Sequence, residues 1–136
     1  MTDEILKLKH QLCFPLYAAA KEVVNLYTPA LDEIGLTYTQ YIAMLVLWEH
    51  RSVNVKELGR HLYLDSGTLT PLLKRLEGKG LVQRERSKED ERTVDITITP
   101  TGEKLKEKAI GIPAQIRDCL PFSPEEAGTL YKLLYR

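Results

Sequence analysis

The chain has 136 residues, of which 43% are hydrophobic and 28% charged, values that are ordinary for one globular domain and exclude disordered and fibrous classes. Its 19 basic residues balance 19 acidic ones, which excludes an indiscriminate nucleic-acid binder but not a specific one, because specificity depends on where the charges lie. Since the longest strongly apolar run is residues 41–48 and two cysteines cannot build a disulfide framework, we expect a cytoplasmic protein without a membrane partner.

Apolar residues recur at steps of three and four from Ile5 to Leu26, and this spacing predicts an amphipathic helix. Pro15 interrupts the stripe, so the helix either kinks there or restarts with Pro15 in its first turn. Thr28 and Pro29 are expected to close the helix, because proline lacks the backbone donor that a continuing helix needs.

A second helix is predicted over residues 40–50, which are apolar on nearly every side and are therefore expected to be buried. Gly35 is expected to end the short helical piece before it, and Thr37 or Thr39 to cap the new helix. The N-terminal part of the chain is thus predicted to be helical.

A helix-turn-helix is predicted next. Residues 55–62 carry the apolar stripe of a short helix, residues 65–67 have turn and cap chemistry, and residues 69–76 carry the stripe of a second short helix. Pro71 leaves two alternatives open: it lies in the first turn with Thr70 as the cap, or it bends the helix slightly.

Two strands, residues 81–86 and 93–99, are predicted to follow, joined by a polar hairpin tip at residues 87–92. A helix-turn-helix followed by a β-hairpin is a winged helix. The expected fold class is therefore α+β, mainly α with a small β-hairpin wing.

The rest of the chain is predicted to be helical. Thr99 and Pro100 are expected to start a helix that extends to residue 120 with a kink at Pro113. Residues 123–126 have the cap, the proline and the acidic residues that are typical of a further helix start. No linker or repeat separates these parts, so we expect a single folded unit.

The second short helix and the hairpin carry seven basic and five acidic residues over positions 66–92. Because the leucines of the helix are expected to face inward, its hydroxyl and basic side chains face outward, and these residue types contact phosphates and base edges. Arg92 at the tip suits insertion into a minor groove. The expected DNA-binding residues are Ser66, Thr68, Thr70, Lys74, Arg75, Arg84, Arg86, Lys88 and Arg92. The alternative is that these residues are simply solvated charges on the surface of a small domain.

Residues 64–77, LDSGTLTPLLKRLE, and residues 90–92, DER, resemble the recognition helix and wing of MarR-family repressors. Residues 11–14, QLCF, and residues 36–41, LTYTQY, are similar to the organic-hydroperoxide-sensing, OhrR-like branch of that family. The resemblance covers nearly the whole chain. It implies a transcriptional repressor that binds double-stranded DNA, not an enzyme.

The resemblance also implies a homodimer in which N- and C-terminal helices interlock. Residues 1–35 and 100–136 would supply these dimerisation helices, and residues 36–99 the winged-helix DNA-binding region. Two such lobes would read adjacent major grooves of a pseudo-palindromic operator, with half-sites about one helical turn apart. The apolar stripes at both ends of the chain agree with this arrangement, because a small winged-helix core leaves them unused.

In the family, the cysteine matching Cys13 is the peroxide sensor, and tyrosines matching Tyr27 and Tyr38 hydrogen-bond it in the reduced protein. A peroxide is attacked by a thiolate, which phenolic hydroxyls stabilise while their rings keep the pocket apolar. Oxidation of the cysteine by an organic hydroperoxide is expected to break these hydrogen bonds and release the operator. The further residues expected to line the sensor pocket are Phe14, Tyr17 and Tyr41.

Two departures from the family pattern leave alternatives open. Pro15 stands where members of the family carry ordinary helix formers; a restart there puts Cys13 at a helix N-terminus, whose dipole favours a thiolate, whereas a kink changes its distances to the tyrosines. Cys119 lies about three residues, or roughly 5 Å of helix, before the resolving cysteine of two-cysteine members. It is either a resolving thiol on the partner subunit or a passive interface cysteine, and in the second case a small thiol completes the reaction.

Three competing functions stay open at this point. A regulator of the same fold could release its operator on binding a small aromatic ligand, with Cys13 inert. A thiol peroxidase would use Cys13 in turnover, with His10 as the one candidate base, and a protein-interaction winged helix would not touch DNA. Because His10, His50 and His61 lack the spacing of metal ligands and there is no glycine-rich phosphate loop, no metal or cofactor is expected.

Overall fold

The computed structural model describes residues 2–136, with side chains from residue 3 onward, so Met1 of the predicted N-terminal dimerisation region lies outside the described residues. Two short 3-10 turns, Thr2–Leu6 and Leu8–His10, precede the first helix. The helices and strands then follow in the order α1 (Cys13–Ile34), α2 (Tyr38–His50), β1 (Ser52–Asn54), α3 (Val55–Leu62), α4 (Ser66–Gly78), β2 (Val82–Arg86), β3 (Val94–Ile98), α5 (Pro100–Ala109), α6 (Ile112–Cys119) and α7 (Pro124–Leu134). The predicted winged helix-turn-helix is confirmed.

The core lies where α2, the helix-turn-helix and the sheet meet. The largest fully buried side chains are Leu31, Met44, Leu47, Leu58, Leu69, Leu73, Leu76, Ile96 and Val82. Each such side chain stabilises the fold by about 1.5–3 kcal/mol relative to exposure. The leucines of α4 therefore face inward, as predicted, and this fixes which side of α4 faces solvent.

The wing belongs to an antiparallel sheet of three strands in the order β1-β3-β2. Val53 of β1 and Arg84 of β2 pair with Ile96 from opposite sides. The sequence predicted β2 and β3 but not β1, because a strand of three residues is too short to show alternation. Through β1 the wing is hydrogen-bonded to the connection between α2 and α3.

The structure of α1 shows which of the two alternatives at Pro15 is right, and it contradicts the prediction at Pro29. The helix restarts at Cys13, with Pro15 in its first turn. The prediction that Pro29 closes the helix is wrong, because α1 continues through it and ends at Gly35, whose φ of 72° forms a left-handed C-cap. Pro29 costs the helix one backbone hydrogen bond, but the burial of Leu31 holds the last turn on the core.

The structure also shows where Pro71 and Pro113 lie in their helices. Asp65 caps α4 by accepting a hydrogen bond from the backbone N–H of Thr68 at 2.8 Å, so Pro71 lies inside the helix and Thr70 is not the cap. The prediction of a single kinked helix over residues 100–120 is wrong, because the chain breaks between α5 and α6, with Pro113 in the first turn of α6. A proline at that position loses no helical hydrogen bond.

The predicted caps of α2, α5 and α7 are confirmed. Thr37 and Gln40 form a reciprocal capping box at the start of α2, and Ser123 and Glu126 form another at the start of α7. Thr99 caps α5. These caps fix where the chain turns on each side of the winged helix.

Apolar side chains remain exposed at both ends of the chain. They include Ile5, Leu6, Leu8 and Leu12 before α1, and Tyr131, Leu133, Leu134 and Tyr135 at the end of α7. Exposed apolar patches of this kind mark interaction surfaces. Across the described residues, no helix combines the length and the apolar character that crossing a membrane requires.

Candidate DNA-binding surface and thiol site

The outer face of α4 is polar. Its exposed polar side chains are those of Ser66, Thr68, Thr70, Lys74 and Arg75, with Pro71 exposed among them. With α3 and the wing, α4 encloses an open cleft of about 820 Å³, and Ser66, Thr70 and Arg92 are among its lining residues. Ser66, Thr70 and the arginine of the wing tip therefore share one concave surface, whereas Thr68, Lys74 and Arg75 are exposed on α4 outside the lining of the cleft.

The predicted wing cations are held within the hairpin. Arg86 donates from Nη1 to the carbonyl oxygen of Glu91 at 2.8 Å. Arg92 donates from Nε to Asp90 Oδ1 at 3.2 Å, and its side chain is 91% exposed. Lys88 is exposed at the same tip. These bonds orient the two arginines, and in water a single exposed ion pair such as Arg92–Asp90 is weak enough for a phosphate to replace.

Arg84 differs from the other predicted DNA-binding residues because it is tied to α4. Its Nη2 lies 3.1 Å from Glu77 Oε1, its Nε donates to the same oxygen at 3.2 Å, and its backbone N–H donates to Glu77 Oε2 at 3.1 Å. The backbone donor first and then the guanidinium hold the pKa of Glu77 below its ordinary value. Arg84 thus braces β2 against α4, and its charge is largely compensated.

α3 and the turn after it also line the cleft, and three of their lining residues carry polar or aromatic side chains that were not predicted to bind DNA: Lys56, Arg60 and Tyr63. Lys56 and Arg60 are four residues apart on the side of α3 away from its apolar stripe, so helical periodicity alone could have identified them. Tyr63 is 83% exposed and has a φ of 56°, a left-handed conformation that no sequence pattern indicated.

Three tyrosines form a cluster between α1 and α2. The ring of Tyr27 lies 5.0 Å from that of Tyr38 and 5.5 Å from that of Tyr41, between centroids. Burial raises the pKa of Tyr27 above the ordinary 10.0, and the neighbouring Tyr38 raises it further. Burial also raises the pKa of Tyr38. Near pH 7 these phenols therefore keep their protons and are able to donate hydrogen bonds.

The tyrosine cluster continues into the core through Trp48. The Trp48 ring lies 6.4 Å from that of Tyr41 in an edge-on arrangement. Its Nε1 donates to the carbonyl oxygen of Gly102 in α5 at 2.9 Å, and this bond is buried. The sequence did not single out Trp48, although it is the one tryptophan of the chain. The cluster is thereby fixed to the helix that follows the wing.

Cys13 is an exposed free thiol at the first position of α1. Fourteen residues of continuous helix separate it from Tyr27, which corresponds to about 21 Å along the axis. Phe14 and Tyr17 lie at the Cys13 end, with their rings 6.4 Å apart, whereas Tyr41 lies with Tyr27 at the other end. The predicted sensor residues therefore form two groups in one protomer, and a hydrogen bond from Tyr27 to a Cys13 thiol requires two protomers.

The remaining candidates for chemistry are separate from these groups. Cys119 is an exposed free thiol at the end of α6. His10, the candidate base, lies in a 3-10 turn before α1 and its Nδ1 donates to the carbonyl oxygen of Glu4 at 2.6 Å. From residue 2 to residue 136, no three histidine, cysteine or carboxylate side chains are grouped so as to hold a metal ion.

Comparison with known proteins identifies the relatives of this chain. The family model described as transcriptional regulator SarA/Rot matches residues 25–109. The organic hydroperoxide resistance transcriptional regulator of Bacillus subtilis is 52% identical over 130 residues, which cover 96% of this chain and 88% of that protein.

Solved structures show the same architecture. Reduced AbfR bound to DNA is 38% identical and superposes with a TM-score of 0.80, covering 99% of this chain and 95% of that one. AbfR, from Staphylococcus epidermidis, is also known in a disulfide form, which covers 99% and 90% of the two chains at 39% identity with a TM-score of 0.63. MarR, at 24% identity, shares the fold with a TM-score of 0.76 and covers 92% and 93%. The present conformation thus superposes better on the DNA-bound form than on the disulfide form.

Proposed function

Because the chain belongs to the SarA/Rot family of transcriptional regulators and has the MarR winged-helix fold, we propose that it is an operator-binding repressor that senses organic hydroperoxides through Cys13. The observation that carries this proposal is the exposed thiol at the first position of α1, in a chain 52% identical to an organic hydroperoxide resistance regulator. The repressor would act in the cytoplasm, where thiols are reduced.

Operator binding is assigned to α4 and the wing of each protomer. The hydroxyls of Ser66, Thr68 and Thr70 lie at the N-terminal end of α4, which would enter a major groove, and Lys74 and Arg75 follow one turn later, within reach of phosphates. Residues 1–35 and 100–136 would form the dimer, because the exposed apolar side chains before α1 and on α7 need a partner. Two identical lobes fit a pseudo-palindromic operator.

The sensor is assigned to the dimer, with Cys13 of one protomer facing the tyrosine cluster of the other. A separation of about 21 Å along α1 rules out a contact between Cys13 and Tyr27 of the same chain. Protonated phenols of Tyr27 and Tyr38 would donate to the thiolate, and Phe14, Tyr17 and Tyr41 would give the pocket apolar walls that suit a bulky organic hydroperoxide.

The chemistry is a two-electron oxidation of sulfur. The Cys13 thiolate attacks one oxygen of the hydroperoxide, the O–O bond breaks as an S–O bond forms, and the alkoxide takes a proton from solvent and leaves as an alcohol. A second thiol then attacks the sulfenic sulfur, so that a disulfide forms and water leaves. Either product removes the thiolate that the phenols bind, and the hydrogen bonds between the protomers are lost.

The second thiol is either Cys119 of the partner subunit or a small cellular thiol. Cys119 is an exposed free thiol at the end of α6, so its sulfur is accessible for attack on the oxidised Cys13 of the partner subunit. Intact-mass measurement after one equivalent of cumene hydroperoxide, with and without a small thiol, distinguishes a sulfenic acid, an intersubunit disulfide and a mixed disulfide. If the wild type and a Cys119→Ser variant both release the operator only when the small thiol is added, Cys119 has a passive role.

The proposed function is tested with a Cys13→Ser variant and an operator obtained by selection from random duplexes. We expect one equivalent of hydroperoxide to release the wild-type dimer and to leave the variant bound. Release of the variant by hydroperoxide would contradict the proposal. Oxidation that stops at one equivalent per protomer in the presence of a thiol reductant agrees with a switch, whereas repeated turnover would indicate a thiol peroxidase.

One observation favours a second candidate function, a regulator released by a small aromatic ligand. An open cavity of about 300 Å³ lies between α2 and the α5–α6 region, and its lining includes Tyr41, Leu45, Trp48 and Ile110. Such a cavity is apolar and large enough for one aromatic ring. If aromatic acids release the operator from the Cys13→Ser variant while hydroperoxide does not affect the wild type, this second function replaces the first.

A further inference from the structure

Lys79, the residue at the C-terminal cap of α4, crosses to the turn between α1 and α2. Its Nζ donates to Gln40 Oε1 at 2.9 Å and also to the carbonyl oxygen of Gly35. Gln40 is a polar side chain that is only 3% exposed. An ammonium group bound to a buried amide and to a helix-end carbonyl restrains the distance between the two elements, because both acceptors lose this charged donor if the elements separate. We call these three residues the Lys79 bridge.

The Lys79 bridge ends in the capping box of α2. Gln40 Oε1 also accepts from the backbone N–H of Thr37 at 3.1 Å, and Thr37 Oγ1 accepts from the backbone N–H of Gln40 at 3.3 Å. Tyr38 lies between these two residues, and Tyr41 follows Gln40. A displacement of the tyrosines therefore moves the turn that holds the Lys79 ammonium.

The same end of α4 is anchored to the wing. Glu77, two residues before Lys79, accepts from the backbone and the guanidinium of Arg84 in β2. The last turn of α4 is thus bonded on one side to the first turn of α2 and on the other side to the wing. No other pair of bonds described above joins the tyrosine cluster to both DNA-binding elements.

We propose that the Lys79 bridge couples the state of the tyrosine cluster to the position of the recognition helix α4, with Lys79 as the positioning residue. This inference rests on the proposed function, in which oxidation of Cys13 displaces the tyrosines. When the first turn of α2 moves, Gln40 carries Lys79 with it, and α4 and the wing change their position relative to the other lobe. Without the bridge, oxidation still displaces the tyrosines, but α4 keeps its place.

A purely structural brace has a different signature. A brace would weaken the operator affinity of the reduced and the oxidised protein by the same factor, whereas a coupling residue changes the ratio of the two dissociation constants. That ratio, oxidised over reduced, is therefore the quantity to measure, by fluorescence anisotropy on the full-length dimer. Intact mass shows that Cys13 is oxidised in each sample, and the emission of Trp48, next to Tyr41, reports the displacement of the cluster.

The test compares Lys79→Met, Lys79→Arg and a matched control, Lys104→Met, in which an exposed lysine of α5 is replaced. In Lys79→Met we expect the ratio to fall about tenfold or more, chiefly because the oxidised variant stays bound, while the Trp48 emission change on oxidation persists. Lys79→Arg keeps donors at this position and should recover most of the ratio. Lys104→Met should behave as the wild type.

An unchanged ratio in Lys79→Met, with Cys13 oxidised, overturns the inference whatever happens to the absolute affinity. If Lys79→Met does not fold, Gln40→Glu takes its place, since a carboxylate still accepts from Thr37 and binds Lys79 more strongly. Its ratio should equal or exceed that of the wild type, and a lower ratio overturns the inference. A wild-type ratio near one refutes the proposed function itself, so the two failures are distinguishable.

Discussion

The Lys74→Met substitution tests whether the exposed basic residues of α4 contact DNA phosphates. Lys74 is exposed on the outer face of α4, where its ammonium can reach a phosphate. Each phosphate contact contributes about 0.9 to the slope of log affinity against log salt, and a homodimer loses two contacts, so the slope should fall by about 1.8. Between roughly 50 and 200 mM salt, the affinity of the variant should therefore decrease about 12-fold less than that of the wild type.

Arg84→Met is the informative comparison. Because the Arg84 guanidinium is already paired with Glu77, we expect this variant to keep the wild-type slope and to lose thermal stability instead. Lys104→Met on α5 serves as the neutral control. Fluorescence anisotropy on the selected operator at four salt concentrations measures all three slopes. If Lys74→Met leaves the slope unchanged, or Arg84→Met lowers it by about 1.8, the assignment of contacts to α4 is wrong.

Further predictions concern the fold, the tyrosines and the coupling. Gly102→Ala should lower the free energy of unfolding by about 2 kcal/mol or more, because the new Cβ would lie 2.3 Å from the carbonyl oxygen of Leu81. Gly128→Ala, which meets nothing within 4 Å, should raise it by up to about 1 kcal/mol; urea unfolding at equal dimer concentration compares them. Since the pKa values of Tyr27 and Tyr38 are raised above 10.0 in the folded state, the unfolded chain loses these protons first, so stability should fall as pH rises above that value, and less steeply in the double phenylalanine variant. In a thiol–disulfide buffer, operator DNA should shift the sensor thiol toward its reduced form by the factor with which oxidation weakens operator binding; an unshifted equilibrium would show that the two are not coupled.

The periodicity and the caps were sufficient to predict most of the fold. Leucines at helical spacing placed α4, and Thr37, Thr99 and Ser123 marked three helix starts, because side-chain capping is a local interaction. Pro29 misled the prediction, since whether a helix survives a proline depends on what its next turn buries, which is a tertiary property. The strand β1 was missed for a similar reason, because three residues become a strand only when β3 pairs with them.

The residues of the candidate site are predictions from the sequence, and their geometry comes from the structure. The resemblance indicated Cys13, Tyr27 and Tyr38, but the sequence left open whether Pro15 kinks the helix. The continuous helix that starts at Cys13 fixes the separation from Tyr27 at about 21 Å. The sequence predicted Arg84 to be a DNA-binding residue like its basic neighbours, because the sequence does not show that Glu77 compensates its charge. Lys79 was counted among the basic residues near α4 without a role, since its acceptors lie about 40 positions earlier in the chain.

These contacts show which of the basic residues are available to bind DNA in a chain whose charges balance. The 19 basic residues are not equally available for DNA, because Arg84 is occupied by Glu77 and Lys79 by the α1–α2 turn. Few uncompensated cations remain on the cleft, so we expect non-specific affinity to be low and operator affinity to depend on both lobes of the proposed dimer binding at once. The 22 residues of α1 span about 33 Å, close to the separation of successive major grooves on one side of the duplex. A displacement at Cys13 would act at one end of this helix, and because operator affinity depends on both lobes, a small movement of α4 would be enough to lose the second half-site.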